Sequence, residues 1–264
     1  MKVGSWKSEP GRGIASVLGC LGIWALGSLG AHSASFDEQR AVIAASPATQ
    51  PEAAIISLLQ AGIEEGKPTQ AIAVAQKWLR QNLPEDLMLL YYAGRAAELS
   101  GDAGGAAALY QQYLKSADPK LETTGRAVTA AHVLLRDQLN DLEAAYSLNR
   151  GVGNRLAGNA ASRQFDSWFL AEAMKRGDAA AVAGRLHALL VADISPDLLQ
   201  VQYSGYFTWL LERVSAYTEQ PNVAPVTPEL LAACKQLSKA ITFSDDLALR
   251  LDWAVSVRAY NQAK

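Results

Sequence analysis

The chain reads as an all-α protein built from consecutive helical hairpins, and three observations predict this. Beyond residue 51 apolar residues recur at helical spacing, and no stretch alternates as a half-buried strand would. The clearest stretch, Asp86 to Pro119, holds two amphipathic helices. Leu87, Leu90, Ala93, Gly94 and Ala97 share one face of the first; Ala106, Leu109, Tyr110, Tyr113 and Leu114 share one face of the second; Ser100-Gly101-Asp102 makes the turn. Sliding the chain back 35 positions gives a second copy, with Gly66 on Gly101, Ala71 on Ala106 and Pro84 on Pro119. A fixed period with turn glycine, packing alanine and closing proline in register marks a repeat architecture.

With 264 residues, half of them hydrophobic, the chain is long enough to bury a substantial core. Its net charge of −2 provides no basic excess to neutralise a phosphate backbone, so nucleic acid is not an expected partner. Residues 1–34 stand apart. Lys2, Lys7 and Arg12 precede an apolar run from Ile14 to Gly30, and Ala31-His32-Ser33 supplies small residues for an export peptidase. This predicts a secretory signal peptide, cut after Ser33 or nearby. The alternative is an uncleaved inner-membrane anchor over residues 14–31. Either way the remainder is expected outside the cytoplasm, periplasmic or secreted. Val17-Leu18-Gly19-Cys20 resembles a lipoprotein lipobox, but the apolar run continues past Cys20, which favours an ordinary signal-core cysteine.

Residues 35–51 carry Ser46-Pro47 and Gln50-Pro51, which disfavour helix just before each proline, so they read as at most one short helix, Phe36 to Ala45, and a linker. The helical domain is expected over residues 52–264. Its first pair is Glu52–Glu65 and Pro68–Gln81, with Pro68 suited to a first helical turn; the second is Asp86–Leu99 and Ala103–Ser116. A third pair, Leu121–Asp137 and Asp141–Asn149, is followed by a glycine- and asparagine-rich loop from Arg150 to Asn159. The fourth pair is Ala161–Arg176 and Ala179–Val191. Its turn Arg176-Gly177-Asp178 lies 76 positions beyond Gly101, room for two slightly long repeats. Pro196 opens a helix to about Tyr217, three prolines break the chain between Pro221 and Pro228, and Glu229–Ile241 and Asp245–Tyr260 end it. Arg250, Asp252 and Arg258 would face water on a polar cap of the stack.

These residues resemble the tetratricopeptide repeat. The better copy matches at Leu90, Ala93-Gly94, Ala97, Ala106, Tyr110 and Pro119 (repeat 86–119), and the partial one at Ile55, Leu58-Leu59, Gly62, Ala71, Ala75 and Pro84 (repeat 52–84). Ala97 and Gly62 stand where an aromatic is usual, and Leu59 where a small residue is. The resemblance implies a right-handed α-solenoid in which the first helix of each pair lines a concave groove for a protein or peptide partner. Carried over residue by residue, it points to Met88, Tyr91, Arg95 and Glu98 in the better copy, and to Ala53, Ile56, Gln60 and Ile63 in the weaker one. Chaperone-tail-binding relatives use a basic and amide clamp; Ile56 and Gln60 stand in its place, so that partner class is not expected.

Chemistry is sparse. His32, His132 and His187 form no ligand pair, so neither zinc nor any other cofactor is expected. Once the leader is removed, Cys234 remains alone in an apolar helix, which excludes an intramolecular disulfide. The glycines between Arg150 and Asn159 follow no strand and match no nucleotide fingerprint. Ser204-Gly205 lies inside a helix without a nucleophile-elbow setting. Trp78, Trp168, Trp209 and Trp253 are expected in the core. The sequence thus points to a non-catalytic, exported interaction scaffold. The alternative is an envelope enzyme or small-ligand-binding protein with a pocket in helices 196–262.

Overall fold

The computed structural model describes residues 35–192, 194–215 and 226–262; the leader reading, with Cys20 and His32, lies outside them. Among the described residues the chain is all-helical, without a strand. The first helices are α1 (Phe36–Ile43), α2 (Glu52–Glu64), α3 (Pro68–Leu79), α4 (Leu87–Leu99), α5 (Ala103–Leu114), α6 (Glu122–Val133) and α7 (Leu142–Val152). They are followed by α8 (Ala160–Arg163), α9 (Asp166–Arg176), α10 (Ala179–Val191), α11 (Pro196–Ser215), α12 (Pro228–Ala240) and α13 (Asp245–Gln262). Each packs on sequence neighbours: α2 on α3 and α4, α4 on α5, α5 on α6, α9 on α10, α10 on α11 and α12, and α13 on α11 and α12.

One turn recurs in the first four hairpins. Gly66, Gly101, Asn140 and Gly177 have positive φ (70°, 83°, 51° and 71°) and lie 35, 39 and 37 residues apart. The left-handed conformation closes each first helix. At Gly101, for example, its own N–H reaches Glu98 O and the Asp102 N–H reaches Ala97 O, both at 3.0 Å. The residue after it opens the second helix: Asp102, Asp141 and Asp178 accept from the N–H of Gly105, Ala144 and Ala181, satisfying otherwise orphaned donors. In the third hairpin Asn, the non-glycine that best tolerates this region, replaces glycine. The added length there lies in the first helix, which continues beyond α6 as a π turn, Leu134–Gln138.

Small residues set the close crossings. A Cβ on Gly62 would lie 2.5 Å from that of Ala71, and one on Gly94 2.9 Å from the Tyr110 ring. Gly94→Leu is therefore expected to cost ~1–3 kcal/mol by overpacking, read as a lower urea midpoint; an unchanged midpoint would contradict so tight a crossing.

Three expectations are corrected. The stretch read as a linker is fastened to the first hairpin: Phe36 is fully buried, its N–H donates to Glu65 Oε1 at 2.7 Å, Trp78 Nε1 donates to Gln50 O at 3.0 Å, and Asn82 Nδ2 to Ala48 O at 3.1 Å. The expected helix Ala161–Arg176 is two, α8 and α9. The break comes where the Phe165 N–H bonds Ser162 O, three residues back, and Ser162, Phe165 and Asp166 are all buried. On α13 the polar cap is not as read: Arg258 is buried, whereas Trp253 (69% exposed) and Leu249 (72%) face water. Trp78 is buried, and Trp168 and Trp209 are half-buried. Two apolar clusters form, one over α1–α7 and one centred on α9–α13, and Trp168 packs against both.

Candidate partner-binding groove

The first helices of the hairpins carry the residues expected at a partner, and the structure divides them between two hollows. One, of about 640 Å³, is floored by Ala53 and Ile56 of α2, Leu87 and Met88 of α4, and Leu121 ahead of α6. The other, of about 740 Å³, takes Arg95 and Glu98 of α4, Tyr110 of α5, and Leu121, Arg126 and Thr129 around α6. Leu121, 47% exposed, is common to both.

Arg95 is held by Glu98 (Nη1 to Oε2, 3.1 Å), and the same carboxylate oxygen accepts the Tyr110 hydroxyl at 2.7 Å. Burial and the adjoining Glu98 carboxylate both push the Tyr110 phenol well above its ordinary pKa, so it stays a neutral donor. Arg126 and Glu122 pair at 2.6 Å on the exposed side of α6. Gln60 is half-exposed and lines neither hollow. Tyr91 corrects the expectation of an accessible aromatic. It is only 4% exposed, with Tyr92, Tyr110 and Tyr113 ring centroids 5.3, 6.3 and 5.6 Å away. Burial raises its hydroxyl pKa against the opposing pull of Arg126 on α6.

Sequence reasoning missed Leu121 and the carboxylates Glu52, Glu85, Asp86 and Asp118 that rim the smaller hollow. Their signal was positional. They sit at or just before the first helices of consecutive hairpins, where a chain entering one pair flanks the pair before it.

A second concentration of polar groups lies inside the protein. Arg185 of α10 and Asp166 of α9 form an ion pair with both side chains wholly buried. Arg185 also donates through Nε to Asn154 Oδ1 (3.0 Å) and through Nη2 to Asn149 O (2.8 Å), and its guanidinium lies 4.6 Å over the Phe169 ring. Burial drives the Asp166 carboxyl up and the Arg185 guanidinium down, and each is the main force opposing the other's shift. The stretch read as a plain interhelix loop holds this pair: a Cβ on Gly153 would lie 1.7 Å from Arg185 Nη2. Nearby, Arg155 donates to the carbonyls of Leu114 and Ala117, and Asn159 Nδ2 to Pro119 O at 2.8 Å.

His132, fully buried, stacks on Phe165 at 3.9 Å and meets Trp168 edge-on at 4.8 Å. Asn149 Nδ2 donates to Ala145 O at 2.8 Å, which fixes the amide orientation, and sits 2.9 Å from His132 Nδ1. Because an amide nitrogen only donates, Nδ1 accepts and the imidazole is neutral with its proton on Nε2. Burial, aided by Arg136, pushes its pKa down to about 4. As pH falls from about 6.5 the unfolded chain takes up this proton before the folded one does. His132 therefore withdraws stability as the pH falls towards 4, about 3 kcal/mol in all, and none of it is lost above about pH 7. Urea titrations at pH 7 and 4.5 should show a larger loss for the parent than for His132→Phe; equal losses would contradict a buried neutral imidazole.

A further hollow, of about 360 Å³, lies among Gln111 of α5, Lys115 at its end, Leu148 of α7 and Arg155. Among the described residues no three His, Cys, Asp or Glu side chains converge as a metal site. Burial pushes the Cys234 thiol up to about 12, which leaves little thiolate at neutral pH. A hollow of about 140 Å³ between the start of α10 and Arg213, Thr227 and Leu230 is smaller than the roughly 300 Å³ at which ligand pockets begin. No described helix is long and apolar enough to cross a membrane. Compared with models of protein families, with curated proteins and with solved structures, the chain matches none of them.

Proposed function

We propose that this chain is a non-catalytic scaffold exported to the bacterial envelope, a right-handed α-solenoid of tetratricopeptide-like hairpins that holds a segment of a protein partner. The observation that carries the reading is the pair of hollows meeting at Leu121 on the exposed sides of α2, α4 and α6. The left-handed turn and aspartate cap, recurring at intervals of 35, 39 and 37 residues, support the solenoid. The basic-apolar-small pattern of residues 1–34 supports export. Apolar floor beside fixed charge is the composition that seats an anchor residue and orients what flanks it.

A photo-crosslinking residue placed at Leu121 in the full chain is expected to join one defined partner peptide, recovered also from Met88 and not from Gln112 on the exposed side of α5. A companion that co-elutes on gel filtration and survives Leu121→Asp would overturn the reading. Amino-terminal sequencing of the mature protein tests export, with Ala34 or a neighbouring residue expected first.

A further inference from the structure

The two hollows differ in charge, and the difference names a class of partner. In the larger, Arg95 pairs with Glu98 and Arg126 with Glu122, and Lys120 adds a further cation. In the smaller, four carboxylates, Glu52, Glu85, Asp86 and Asp118, rim an apolar floor, and no lysine or arginine is among its lining residues. Nor does the chain as a whole force this excess, because its net charge is only −2.

Three of these carboxylates are positioned by backbone bonds. Both Glu52 oxygens accept N–H groups at the entry to α4, from Glu85 and Asp86 at 3.1 Å each. Asp86 Oδ1 accepts from the Met88 N–H at 2.8 Å, and Asp118 Oδ1 from the Lys120 N–H at 2.9 Å. Such bonds hold the groups in place while their negative charge stays at the rim. Lys120 itself lines the neighbouring hollow.

We infer that the smaller hollow receives a cationic amphipathic segment of the partner, with an apolar side chain on Ile56, Met88 and Leu121 and flanking Lys or Arg side chains against the four carboxylates. This rests on the scaffold reading above and adds the partner's chemistry to it. Complementary potential of this kind raises the encounter rate and rejects acidic competitors, and it weakens as salt screens it.

The test titrates the full chain with three fluorescent peptides: an amphipathic helix of Leu and Lys, the same helix of Leu and Glu, and a peptide of Ser and Lys. The Leu–Lys peptide is expected to bind at least about tenfold more tightly than either other, and to weaken about tenfold from low to high salt. Glu85→Lys with Asp118→Lys is expected to weaken it about tenfold, and Glu85→Gln, which replaces one rim charge without reversing it, by less. Leu121→Ser is expected to weaken it too, and circular dichroism checks that each variant is folded. Equal binding of the Leu–Glu peptide, still lost in Leu121→Ser, would overturn the cationic partner and leave the groove standing. Equal binding of the Ser–Lys peptide, or Leu–Lys binding indifferent to all of these substitutions, would overturn the assignment to this hollow. Failure of every peptide to bind would count against both readings.

Discussion

Arg185→Ala is expected to lower the free energy of unfolding by about 3–5 kcal/mol, because it leaves a buried charge without its partner. Asp166 would keep a wholly buried carboxylate opposite nothing, and Asn149 O and Asn154 Oδ1 would each lose a donor. The pair joins α9 to α10 and, through Asn149 and Asn154, to the end of α7 and the turn after it, so the loss falls on the contact between these elements. Removing both charges is a different experiment. Arg185→Met with Asp166→Leu leaves no unpaired ion and should recover much of the loss. Urea titration of the parent and both variants checks this, and a single variant costing under about 1 kcal/mol would mean that water reaches the pair.

Phe36→Ala is expected to cost about 3–5 kcal/mol, the usual penalty for emptying a fully buried aromatic site. The ring lies against Gly62, where a Cβ would come within 3.0 Å of it, and Lys67 Nζ stands 5.5 Å from its centroid. Lys67 in turn bridges Asp37 and Glu65 at 2.8 and 2.9 Å. These ion pairs are exposed and contribute little of their own; the apolar ring is the larger part of the attachment. Differential scanning calorimetry is expected to show a clear fall in melting temperature. A change within error would mean that α1 is detached in solution, as the linker reading of residues 35–51 held.

What was legible in the sequence was local. Apolar periodicity and turn glycines place α2 to α5 and α10 within two residues of their bounds, because helix and cap are decided by neighbours a few positions apart. The interval of 76 residues from Gly101 to Gly177 implied a hidden third turn, and it is there at Asn140, without the glycine that would have announced it. What depends on distant packing was not legible. Tyr91 shares a helical face with Met88 and Arg95, yet it is buried, with the rings of Tyr110 and Tyr113 from α5 beside it. Arg185 lies in line with Val182 and Leu189 on a buried face, a pattern that does flag an internal ion pair, but its partner Asp166 is on another helix and the space for it comes from Gly153. Trp253 was assigned inward on hydrophobicity alone, which says nothing about whether a neighbour exists to cover it. In the candidate site, Met88, Ile56, Arg95 and Glu98 came from the resemblance to the tetratricopeptide repeat; Leu121 and the rim carboxylates lie at helix starts and in connections between hairpins, which that pattern does not reach.

The proposed partner segment lies along α2, α4 and the entry to α6, and methyl NMR of the full chain titrated with the crosslinked partner's peptide is the decisive measurement. Shifts are expected at Ile56, Leu87, Met88 and Leu121, with the methyls of Leu249 on α13 unmoved. Shifts confined to α11–α13, with Leu121 unaffected, would contradict it.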